Sequence, residues 1–284
     1  MHSRTLLLTS LALLAFSVNS LLCREALIHT TIDAASFTLL RLFSGAVMLG
    51  VIVCWRSGVS SIGGNWPSAG SLFIYAAGFS FAYVHLSAAT GALLLYGAIH
   101  ATMTAHGLWG GERLSGWQSG GFIVALLGII SLLLPGLEAP PLTASLLMLT
   151  AGVAWGIYSL RGKHAASDPI SSTAGNFIRT LPLALGLSLI CQDTMLWDIT
   201  GIGYAVVSGA VASGLGYVIW YMALPALRAT QAATVQLSVP VITALGGAIL
   251  LAEPITLRIV LASIAILGGI ALVIYIPRKV SATT

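Results

Sequence analysis

The chain has 284 residues, 57% of them hydrophobic and only 7% charged, with a mean hydropathy of +0.98. A soluble domain carries about 25% charged residues, so the composition excludes a water-coated globular fold and points to an integral membrane protein. The net charge of +4 is scattered rather than clustered, which argues against a nucleic-acid partner.

A helix crosses a bilayer in ~20 mostly apolar residues. That ruler predicts ten spans, near 4–22, 34–54, 70–89, 91–110, 117–135, 142–161, 170–190, 203–224, 230–251 and 257–276. At the N-terminus, Arg4 followed by TLLLTSLALLAF resembles a secretory signal, and Ser20-Leu21-Leu22-Cys23 hints at a lipoprotein box. Leu22 stands where a small residue is needed and many spans follow, so the segment reads as an uncleaved first helix. Span 1 contributes Ser10 and Ser17 as polar groups. Cys23, Cys54 and Cys191 show no CxxC spacing, so neither a metal site, a disulfide framework nor a cofactor is expected.

Spans 3 and 4 hold the stretch FAYVHLSAATGALLLYGAIHATMTAH, polar yet free of carboxylates and lysines. Helical spacing puts Ser80, Tyr83, Ser87 and Thr90 on one stripe of span 3, and Tyr96, His100, Met103 and Gly107 on one stripe of span 4. His85 lies about 200° round the helix from Tyr83, and His106 is off the His100 stripe. Span 6 presents Trp155 with Tyr158 or Ser159. Span 8 presents Ser213, Tyr217, and Trp220 or Tyr221. Span 9 presents Gln231, Thr234 and Ser238, with Gln236 and Thr243 on another face. Polar groups inside a bilayer face a wet cavity or a neighbouring helix. The candidate substrate-binding set is therefore Ser17, Tyr83, His85, Tyr96, His100, Met103, Trp155, Tyr158, Tyr217, Trp220, Gln231 and Gln236, each with interhelical hydrogen bonding or packing as its alternative. Trp155 sits mid-span, whereas Trp55, Trp66, Trp109, Trp117 and Trp197 lie near span ends and read as interfacial anchors.

Small residues at four-residue spacing, Gly116/Gly120, Gly152/Gly156 and Gly209/Ser213, predict close helix contacts. Pro182 and Pro240 interrupt spans 7 and 9, and Pro240 with Gly246 and Gly247 is the candidate hinge. Arg41 and Arg179, inside spans 2 and 7, are expected to reach an interface or a carbonyl cluster rather than a central cavity.

Basic residues choose an orientation. With both termini cytoplasmic, eight of them fall inside (Arg4, Arg56, Arg113, Arg161, Lys163, Arg228, Arg278 and Lys279) and two outside, Arg24 and Arg258. The two halves also echo one another. Glu112 and Glu253 are 141 residues apart, as are Leu8-Thr9 and Leu149-Thr150, Thr102 and Thr243, and Gly128 and Gly269, while Arg41 and Arg179 are 138 apart. Five helices is an odd number, so consecutive copies of such a unit enter the membrane from opposite sides. The predicted fold is an all-α integral membrane protein of ten transmembrane helices in two inverted five-helix repeats, 1–138 and 139–284. Such repeats mark transporters that work by alternating access.

An acidic residue after spans 4 and 9 followed by a glycine-rich helix (Glu112 with Gly120, Gly121 and Gly128; Glu253 with Gly268 and Gly269) resembles the drug/metabolite transporter superfamily, EamA type. Arg41, Arg179 and Trp155-Gly156 fit the same pattern, while Leu261 departs from it at the place of Gly120. Within the superfamily the chain looks most like bacterial exporters of aromatic amino acids. The resemblance implies a multi-pass protein of the bacterial inner membrane that exports small metabolites, with a cavity lined by spans 1, 3, 4, 6, 8 and 9. The expected partners are a small-molecule substrate and the lipid bilayer. The oligomeric state is open, and a monomer suffices. No nucleotide-binding loop, HExxH, GxSxG or mid-span carboxylate occurs, so an enzyme is not expected. Coupling to protons through His85, His100 or His106 and facilitated export are both compatible with the sequence. The alternatives are an exporter of organic cations, drawn to aromatic walls, and a non-transporting packing or sensory subunit.

Overall fold

The computed structural model describes residues 3–57, 62–111, 113–136, 139–163, 168–223, 226–227 and 235–275. These are all-helical, without strands among the described residues. Ten helices follow in chain order: α1 (Ser3–His29), α2 (Ala34–Ser57), α3 (Trp66–Tyr83), α4 (Ala88–Trp109), α5 (Gly116–Leu133), α6 (Leu142–Lys163), α7 (Pro169–Ile190), α8 (Ile199–Ala223), α9 (Ser238–Leu250) and α10 (Leu257–Tyr275). Seven are long and apolar enough to cross a membrane: α1, α2, α5, α6, α7, α8 and α10. Helices α3 and α4 have the length, at 18 and 22 residues, but α3 is diluted by Trp66, Pro67, serines and tyrosines and α4 carries most of the histidine-bearing stretch, while α9 has only 13 residues.

Local chemistry sets the helix starts. Asn65, Ser87, Asp168 and Asp198 each accept a backbone N–H of the first turn, from Ser68, Thr90, Ser171 and Gly201. Ser115 and Gln118 form a reciprocal capping box at α5. These caps correct the expected stripe on span 3. The helix ends at Tyr83, and Ser87 caps the next one, with Thr90 in its first turn, so neither shares a face with Ser80 and Tyr83. Span 9 is also interrupted within its described residues. Pro240 supplies no N–H to the helical Gln236 ahead of it, and a turn at Leu237 separates that residue from α9.

Packing follows the small residues. A β-carbon on Gly121 would come within 2.7 Å of the Gly269 carbonyl, so α5 and α10 touch backbone to backbone. Gly152 brings α6 to 2.6 Å from the Leu95 carbonyl of α4 by the same measure, and Gly209 seats α8 directly on the Arg41 carbonyl of α2. The expected contact through Gly116 and Gly120 is not made. Both face open space, and the neighbouring Gly121 carries the interface. The middle of α8, Val207–Leu215, is wound as a π-helix. Its Ser208 hydroxyl donates to Asn19 Oδ1 of α1 at 2.7 Å.

Alternating helix direction gives the bundle two ends. The first holds the C-terminus of α1, the α3–α4 turn and the α9–α10 connection. The second holds the starts of α3 and α7 and the ends of α6 and α8. The 18 residues of α3 separate them by about 27 Å.

Candidate functional site

At the first end, Arg24 of α1 ties three segments together. Its Nε donates to Glu253 Oε1 at 2.8 Å, and its Nη1 donates to the carbonyls of Tyr83 and Val84 at 2.8 and 3.1 Å. The second Glu253 oxygen accepts the Ala88 N–H at the head of α4, at 2.7 Å. The backbone conforms to this arrangement. Ala252 adopts a left-handed φ of 52°, and the Glu253 N–H returns to the Gly247 carbonyl. A β-carbon on Gly247 would stand 3.0 Å from the Glu253 carboxylate and 3.1 Å from Ala88 Cβ, so glycine is what lets α9 approach. The two charged side chains are 15% and 11% exposed, so water screens them weakly, and the pair links α1 to the α9–α10 connection.

A column of rings runs inward from there. Tyr83 meets Phe79 edge-on at 4.7 Å between centroids, Phe79 meets Tyr75 at 5.4 Å, and Tyr75 meets Trp155 at 4.7 Å. Trp155 is the junction, also touching Tyr158 at 5.5 Å and Tyr217 at 5.1 Å. Phe16, Phe177 and Trp220 extend the cluster sideways through Tyr217 and Phe16. Gly91 makes room for it, since a β-carbon there would overlap the Tyr83 ring. The rings fill the space between α1, α3, α6 and α8.

Open volume appears at the second end, in a cavity of about 100 Å³ lined by Asn65, Ser68, Tyr158, Arg161, Asn176 and Tyr221, among others. Arg161 Nε donates to Ser68 Oγ at 3.1 Å and its Nη2 donates to Asn65 Oδ1 at 3.2 Å. Asn176 Oδ1 accepts the Asn65 N–H at 2.9 Å while its amide approaches the Tyr158 hydroxyl at 3.4 Å. Gly64, at φ 86°, lets the loop before α3 lie on Asn176.

The structure thus gathers Tyr83, Trp155, Tyr158, Tyr217 and Trp220 into one column. Ser17 is buried beside it and donates to the Leu13 carbonyl at 3.0 Å and towards the Val239 carbonyl of α9 at 3.4 Å. Tyr96 is buried on α4, and its carbonyl bonds His100 Nδ1 at 2.8 Å. Gln236 is half-buried. His85 is exposed in the α3–α4 turn, and Met103 is 40% exposed on α4, so neither joins the column. Gln231, like Glu112, lies outside the described residues. Gly246 packs on Leu21 of α1. Of the two in-span arginines, Arg179 does reach carbonyls, those of Gly63 and Gly175 at 2.7 and 2.9 Å. Arg41 does not. It is 2% exposed and points into the column.

Sequence reading missed Tyr75, Phe79, Phe16, Asn19 and Asn176. The signal for two of them was present, because Tyr75, Phe79 and Tyr83 recur every four residues along one face of α3.

Residues 142–275 match the sequence profile of the EamA-like transporter family. An uncharacterized transporter of Archaeoglobus fulgidus is 32% identical over 57% of this chain and 59% of its own length. The uncharacterized transporter YoaV of Bacillus subtilis is 25% identical over 56% of this chain and 57% of its own. The chain belongs to the EamA-like transporter family. This EamA-type protein is therefore a multi-pass membrane transporter of the drug/metabolite transporter superfamily. It is also 55% identical to the uncharacterized protein PA1977 of Pseudomonas aeruginosa, over 95% of this chain and 94% of that one. A crystal structure with 19% identity superposes with a TM-score of 0.66, covering 96% of this chain and 98% of its own, and so shares the fold.

Proposed function

We propose that this transporter exports small metabolites, namely aromatic and other neutral amino acids, across the bacterial inner membrane by alternating access. Residues 1–138 and 139–284 act as inverted copies of one five-helix unit.

The observation that carries this reading is the column. It is built from α1 and α3 of the first half and α6 and α8 of the second, and it runs from a closed end to an open one. Its rings also follow the repeat. Tyr75 and Phe79 stand 142 residues before Tyr217 and Tyr221, and Phe16 stands 142 before Tyr158. Helix partners exchange in the same way. Helix α1 packs on α8 and α9 as α6 packs on α3 and α4, α2–α8 matches α7–α3, and the pairs α2–α7 and α5–α10 map onto themselves. Two halves that can trade conformations open the path first to one face and then to the other.

Among the described basic residues, Arg4, Arg56, Arg113 and Arg161 belong to the pocket end, and Arg24 and Arg258 to the ion-pair end. Positive charge favours the cytoplasm, so the pocket opens inward and the Arg24–Glu253 pair closes the outer face. A substrate enters past Arg161 and Asn176, slides its ring or aliphatic chain between Trp155, Tyr75 and Tyr217, and leaves when Glu253 lets go of Arg24. The turn at Leu237 and Pro240 is the joint on which α9 moves.

The test is efflux from proteoliposomes loaded with labelled phenylalanine, tryptophan, threonine or an organic cation, against empty vesicles. Accelerated release of the amino acids is expected. No acceleration for any amino acid defeats the reading. Repeating the assay under an imposed pH gradient separates proton coupling from facilitated release.

A further inference from the structure

The buried cation at the ion-pair side of the column has no carboxylate partner among the described residues. The Arg41 guanidinium lies over the Phe79 ring at 4.8 Å and the Tyr75 ring at 5.3 Å, and its Nη2 donates to the Tyr75 hydroxyl at 3.2 Å. Its Nη1 is buried and has no hydrogen-bond partner among the described residues. The ion pairs among those residues are Arg24–Glu253 and His29–Glu25, neither of which includes it. The acids near the helices around Arg41 are engaged elsewhere among the described residues. Asp33 at the head of α2 accepts the Ala35, Ser36 and Leu196 N–H groups, Glu25 of α1 is taken by His29, and Asp168 and Asp198 cap α7 and α8.

A guanidinium keeps its charge throughout the physiological pH range, and burying a charge without a counter-charge is costly. Faces of aromatic rings recover part of that cost. If packing were the only need here, methionine or leucine would fill the space without the penalty. The free Nη1 and the neighbouring Nη2 form a fork suited to a planar, two-oxygen anion.

We propose that Arg41 is the anion anchor of the transport path. It takes the carboxylate of the substrate while Phe79, Tyr75 and Trp155 receive the substrate's apolar side chain. The assignment rests on the transport reading and narrows its substrate class to carboxylates and zwitterions, at the expense of organic cations.

Three ligands sharing one ring decide the matter: phenylalanine, 3-phenylpropanoate, which lacks the amine, and phenethylamine, which lacks the carboxylate. Each is tested in proteoliposomes for efflux and in detergent for its shift of the melting temperature. The wild type is expected to prefer the two carboxylates over the amine by about tenfold or more, as a charge-assisted fork requires. Arg41→Gln should erase that preference, and Arg41→Lys, which keeps the charge without the planar fork, should retain part of it. Equal recognition of the amine by the wild type, or an unchanged preference in Arg41→Gln, overturns the assignment. Should Arg41→Gln fail to fold, the wild-type preference and its partial retention in Arg41→Lys decide alone. Phenylalanine carried equally well by Arg41→Gln refutes the anchor and leaves the amino-acid reading standing. Recognition of 3-phenylpropanoate without phenylalanine does the reverse, and no response to any of the three refutes both.

Discussion

Trp155 is the side chain on which the proposed path turns, because among the described residues it alone touches rings on α3, α6 and α8. Replacing it with alanine is expected to slow efflux per folded molecule about tenfold while phenylalanine at the site keeps most of the rate, since ring contacts of this kind depend on an aromatic face. Equal slowing by both, matched by equal loss of folded protein, would make Trp155 a packing residue. A second residue-scale test concerns Gly91, whose missing β-carbon makes room for Tyr83. Gly91→Ala forces overpacking and should lower stability by about 1–3 kcal/mol, read as a fall in melting temperature that Tyr83→Leu in the same chain partly restores. Sequence reading reached Trp155, Tyr158, Tyr217 and Trp220 because an aromatic residue in mid-span has few bland explanations. It misplaced Arg41 because a lone arginine looks the same in sequence whether it snorkels, as Arg179 does towards Gly63, or turns inward. The partnership of Arg24 with Glu253, 229 residues apart, leaves no local trace.

At the level of elements, ten spans were expected and ten helices follow among the described residues, seven of them long and apolar enough to cross a membrane, and two of the boundary errors have causes visible in the structure. Asn65 and Pro67 start α3 four residues ahead of the expected span, and Ser87 begins α4 where a continuous stripe seemed to run on. Hydropathy cannot see such caps, since Ser and Asn score as mildly polar wherever they stand. The α3–α4 turn and the α9–α10 connection are fastened by the Arg24–Glu253 pair, and Cys23 is fully buried beside it. Glu253→Gln removes the charge while keeping the shape. In a chain that also carries Cys54→Ser and Cys191→Ser, this change is expected to speed maleimide labelling of Cys23 by about tenfold, the factor attached to roughly 1.4 kcal/mol of opening free energy. Unchanged labelling would mean that the pair does not hold that end closed.

For the molecule as a whole, the ion-paired end, the filled aromatic column and the pocket at the other end form the proposed path between two halves. The proposed repeat was suggested in sequence by matched residues at near-constant offset, whereas the pairing of helix partners that supports it joins segments far apart in the chain and leaves no local trace. The most direct test fastens the ion-pair end reversibly. Arg24→Cys and Glu253→Cys, in a chain without its three native cysteines, are bridged by a short bifunctional methanethiosulfonate in proteoliposomes, and amino-acid efflux is measured before bridging, after it and after reduction. Alternating access requires efflux that stops with the bridge and returns with the reductant, whereas efflux undiminished through a formed bridge would contradict it.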